Sequence, residues 1–173
     1  MQYFALKTTP IPKDRLRSLL EEREIRINRY AETYIAHPGF RADRTEEKRV
    51  VIASLREIGL ENGGSLADIF QSLPALGLGP CAPDTGLYLR LAWTAQPQSR
   101  DTVLTGTHRS PEGAVTVLSE PLEREDAFPK GLYLRNVDGK LWLRGYICDG
   151  VHRFSGDDLF AFEAAESQPV AAP

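Results

Sequence analysis

The chain has 173 residues, 42% hydrophobic and 26% charged, with a net charge of −3 at neutral pH. That is ordinary globular usage, which excludes disordered, collagen-like and disulfide-packed chains. No run approaches the ~20 apolar residues of a bilayer span, and the start, Met1-Gln2-Tyr3-Phe4-Ala5-Leu6-Lys7, lacks the basic segment of a signal peptide. Two cysteines, Cys81 and Cys148, fit free thiols in a reducing compartment. The expectation is a cytoplasmic protein with no membrane association. Basic and acidic residues number 12 and 11 up to Ser72 and 9 and 13 beyond it. Neither half carries the concentrated positive field of a general nucleic-acid binder.

In chain order, Tyr3 to Lys7 reads as a lone strand, stopped by Thr8-Thr9-Pro10. Pro12 suits a first helical turn, and Asp14 to Ala36 has a loose helical spacing interrupted at Arg23-Glu24, giving one long helix or two. His37-Pro38-Gly39 ends it. The spacing of Val50, Val51, Ser54, Leu55 and Ile58 predicts a further helix, capped from Asp43 or Thr45 and stopped at Gly59. Ser65 and Asp68 open a short helix that Pro74 closes. The loop Leu76 to Pro83 is the expected seam between the halves.

Beyond Gly86 the period becomes two. Leu87, Leu89, Leu91 and Trp93 alternate with Tyr88, Arg90 and Ala92, which predicts a strand. Thr102 to His108 and Ala114 to Leu118 are further β-rich runs. Leu132 to Val137 and Leu141 to Ile147 flank Asp138-Gly139, a hairpin signal because both turn residues need positive φ. Leu159 to Phe162 reads as a last strand. The expected fold is therefore α+β: a helical part, residues 10–74, packed on a mainly antiparallel twisted sheet from residues 86–163. Residues 1–163 form one domain, and 164–173 a flexible tail.

Gly86-Leu87-Tyr88-Leu89-Arg90 recurs as Gly131-Leu132-Tyr133-Leu134-Arg135. The flanks do not repeat, so the echo gives no repeat architecture. If the leucines of these strands face the core, the opposite face gathers Tyr88, Arg90, Tyr133, Arg135, Trp142 and Arg144, with Tyr146. Rings interleaved with guanidinium groups stack planar groups and hold anions. The bland alternative is a covered or solvated face with snorkelling arginines. Arg23, Arg26 and Arg29 form a second basic sector with Tyr30 and Tyr34, balanced by interspersed glutamates.

Catalytic motifs are scarce. No Walker A, G-x-S-x-G, H-E-x-x-H or paired C-x-x-C occurs. Cys148 and His152, with His108, are the candidates for a thiol–imidazole pair, and the single half-pair argues against a zinc site. The leading expectation is a non-catalytic binding or accessory protein without metal or cofactor. Its partner is a protein or a small anionic, planar ligand on the aromatic–arginine face. The alternative is a small hydrolase or transferase using Cys148 and His152, and a third reading is a homodimer through that same face.

Overall fold

The computed structural model describes residues 1–99 and 110–165. In chain order the elements are β1 (Gln2–Lys7), α1 (Lys13–Glu22), β2 (Arg26–Ile27), α2 (Arg29–Ala36), β3 (Glu47–Ser54), α3 (Leu66–Ser72), β4 (Leu78–Gly79), α4 (Thr85–Ala92), β5 (Val115–Val117), β6 (Gly131–Val137), β7 (Lys140–Tyr146) and β8 (Leu159–Ala164). All strands join one mixed sheet of order β1-β3-β8-β5-β6-β7-β2, with β4 also paired to β8. The β5–β8 and β2–β7 pairs are parallel, the others antiparallel.

This overturns the expected division into a helical first half and a β second half, because β1 and β3 come early and sit side by side. Val50 to Ile58 is mostly strand. β3 lies between β1 and β8 with Val50, Val51, Ile52 and Ala53 all buried. A strand covered on both faces shows a continuous apolar run, and its β-branched content was the better guide. Leu87 to Trp93 is not a strand, since Thr85–Ala92 is helical. α4 is buried from Thr85 through Arg90, so no wet face imposes a helical period on its sequence.

Other local signals match the structure. Asp14 to Ala36 divides into α1 and α2, with Glu24 at φ 54° where the period breaks. Ser65 and Asp68 form a reciprocal capping box on α3, satisfying two orphan N–H groups. β6 and β7 are joined through Asp138 and Gly139, both at positive φ. The Thr102 to His108 run and residues 166–173 of the expected tail lie outside the described residues.

The sheet has two covered regions. On one face Leu16 and Leu20 of α1, Ala31 and Tyr34 of α2, and Leu87 and Leu89 of α4 pack on sheet residues including Val115, Leu132, Leu134 and Leu143. On the other, Ile69 and Leu73 of α3 join Phe154, Phe160 and Phe162 in a second cluster, which contains no residue of β6. The β6–β7 end of that second face is where the site forms. Among the described residues no helix is long and apolar enough to cross a membrane.

Candidate binding site

The hairpin register fixes the site. Tyr133 lies opposite Arg144, and Arg135 opposite Trp142. Directly opposed residues of an antiparallel pair share a face. The Arg144 guanidinium carbon lies 5.2 Å from the Trp142 ring centroid and 5.8 Å from that of Tyr133. From β2, Arg26 covers Trp142 at 5.7 Å. The result is a ladder of alternating cation and ring, Arg26–Trp142–Arg144–Tyr133, each contact contributing about 0.5–2 kcal/mol.

Arg26 arrives there because of Asn28. The Asn28 side chain accepts from the Gly145 N–H at 2.8 Å and donates to the Gly145 carbonyl at 3.1 Å, as a paired strand would. The same amide oxygen caps α2 by accepting from the Ala31 N–H. Gly145 is needed for this approach, since a Cβ there would sit 2.5 Å from the Tyr30 carbonyl carbon. Sequence reasoning placed Arg26 in a separate helical sector and missed its meeting with Trp142. A two-residue parallel strand leaves no periodic signal; only the Asn28 cap pointed to a break there.

The ladder is short of partners. No ion pair among the described residues involves Arg26 or Arg144. The Nε of Arg144 is buried without a hydrogen-bond partner. Beside Tyr133 opens a cleft of about 270 Å³, lined by Thr116, Tyr133, Tyr146, Cys148, His152 and Phe154 among others. Burial pushes the Tyr133 and Tyr146 phenols up, so both stay neutral hydrogen-bonding groups at physiological pH.

The other residues of the expected face sit elsewhere. Tyr88 lies on α4, where its hydroxyl donates to the Thr9 carbonyl at 2.6 Å. Arg90, also on α4, is 0% exposed and donates to the Gln96 side-chain oxygen and the Trp93 carbonyl. Neither shares a wall with Tyr133, because their segment is a helix packed on the opposite face of the sheet. Arg135 is on the correct strand but only 2% exposed, its Nε donating to the Ser99 hydroxyl at 3.1 Å. The surface that remains is Tyr133, Trp142 and Arg144, with Arg26 added.

Cys148 and His152 both reach the cleft, on either side of a turn whose Val151 and His152 N–H groups donate to Asp149 Oδ1. The Cys148 thiol donates to the Asp149 carbonyl at 3.3 Å. Burial pushes it up to about 11, so at neutral pH it is a protonated thiol and a weak nucleophile. His152 packs edge-on against Phe154, centroids 4.5 Å apart. His108 lies outside the described residues. Among the described residues no three His, Cys, Asp or Glu side chains converge as metal ligands. In comparisons with known proteins, the chain matches no family model, no curated protein and no solved structure.

Proposed function

We propose that this chain is a binding protein that holds a planar, anionic ligand against the Arg26–Trp142–Arg144–Tyr133 ladder, with the 270 Å³ cleft receiving one end. The observation that carries this reading is Arg144: stacked between two rings, ion-paired to nothing among the described residues, and with a buried Nε that lacks an acceptor. A buried donor left unmade costs about 1–3 kcal/mol. A ligand carboxylate or phosphate oxygen would satisfy it through a charge-assisted bond. The rings on either side favour a flat group beside that anion. The protonated Cys148 thiol supports binding over turnover.

The test uses AMP as a planar anion, adenosine as a planar neutral and inorganic phosphate as a non-planar anion. Trp142 and Trp93 are the chain's two tryptophans, so a Trp93→Phe background isolates the Trp142 emission. AMP is expected to quench it saturably, with adenosine and phosphate at least tenfold weaker. Equal binding of all three, or none, overturns the reading.

A further inference from the structure

The sheet ends differently on its two sides. One edge is β2, two residues long; the other is β1, six residues long. A single residue parity governs the β1 edge. The β1–β3 register runs from Gln2↔Ile52 to Lys7↔Glu47, and its next step, Thr8, donates its N–H to the Glu46 carbonyl at 2.9 Å. Hydrogen-bonded pairs alternate along an antiparallel ladder. Leu6, Phe4 and Gln2 therefore bond inward to β3, and Tyr3, Ala5 and Lys7 point their N–H and C=O groups out of the sheet. Those three residues are exposed, Tyr3 at 45%. No described hydrogen bond meets their outward groups. The usual protections of an edge are missing: no proline, no bulge and no charge before Lys7.

We infer that β1 pairs antiparallel with β1 of a second copy of this chain, joining the two sheets into one. The second copy is the occupant that the edge itself specifies. A two-fold axis through Ala5 sets Ala5 opposite Ala5 of the second copy and Tyr3 opposite its Lys7. In that register every outward N–H and C=O of the three residues is matched, forming about six backbone bonds. Each Lys7 ammonium falls beside a tyrosine ring rather than beside the other lysine, a cation–π contact. On the opposite face Phe4 meets Leu6 of the second copy, extending the apolar row. The two-residue β2 offers β1 no comparable partner, so association closes at two instead of growing into a fibre.

Light scattering coupled to size exclusion tests this on the full chain, up to roughly millimolar concentration. The expected result is twice the monomer mass. Ala5→Pro removes only an outward N–H, a change that edge strands tolerate. It should give a monomer with an unchanged far-UV spectrum. Tyr3→Lys, which sets like charges opposite each other at an exposed position, should weaken the dimer at least tenfold without requiring any backbone change. Ala5→Cys should crosslink under mild oxidation, since hydrogen-bonded pairs place Cα atoms about 5.5 Å apart and the native thiols Cys81 and Cys148 are buried. A monomer throughout this range overturns the inference. So does a dimer that Tyr3→Lys leaves intact and Ala5→Cys fails to crosslink.

Discussion

Gly86-Leu87-Tyr88-Leu89-Arg90 and Gly131-Leu132-Tyr133-Leu134-Arg135 are the same five residues, one folded as helix and the other as strand. They also touch. A Cβ added to Gly86 would lie 3.1 Å from Cβ of Leu132, so the absence of a side chain lets the helical copy settle on the strand copy. What separates them is context. The second copy leads into Asp138-Gly139 and a complementary strand, β7. The first follows Pro83-Asp84 and is buried along most of its length, with Asp84 tied to the buried Lys48 at 2.9 Å. An alternating pattern reports a strand only when one face is wet. With both sides dry, leucine's good helix propensity is free to prevail.

The largest contrast lies between the arginines. Arg90 pins the segment after α4 from inside the core, and Arg90→Ala opens a cavity and leaves two acceptors unpaired. The expected loss is about 3 kcal/mol by urea unfolding. Arg144→Ala, on the partly exposed ladder, should cost less than about 1 kcal/mol. A small effect at Arg90 would mean that the two copies are more alike than their burial implies.

Alkaline titration gives an intermediate effect. Burial pushes the Tyr34 phenol, which bonds the Ser119 hydroxyl at 3.0 Å, up to about 12, and Cys148 up to about 11. Both ionise more easily in the unfolded chain, so stability is whole below about pH 9 and falls as pH rises toward 12. The urea midpoint should be flat from pH 7 to 9 and then decline, with Tyr34→Phe declining less. A midpoint that holds to pH 11 would place these groups in water.

The smallest contrast compares the tyrosines. Tyr88→Phe loses the bond to the Thr9 carbonyl and should cost about 1 kcal/mol. Tyr133→Phe should stay within about 0.5 kcal/mol, and equal costs would remove the distinction.

What the sequence made legible was local. The Ser65–Asp68 capping box and the Asp138-Gly139 turn are short-range devices whose chemistry acts within four residues. β3 and α4 were misread because each is buried on all sides, where amphipathic periods carry no information. Half of the site followed from the hairpin, whose register brings Tyr133, Trp142 and Arg144 together. The other half, Arg26, depends on Asn28 reaching β7 from 117 residues away in sequence. No spacing rule encodes such a contact.

The most direct test of the ladder compares the affinity of AMP for the wild type, Arg144→Lys and Arg144→Ala by isothermal titration calorimetry. Lysine keeps the charge but lacks the flat, forked guanidinium. The ladder predicts at least a tenfold loss for Arg144→Lys and a greater loss for Arg144→Ala. Wild-type affinity in Arg144→Lys would show that charge alone is being sensed and would contradict a stacked site.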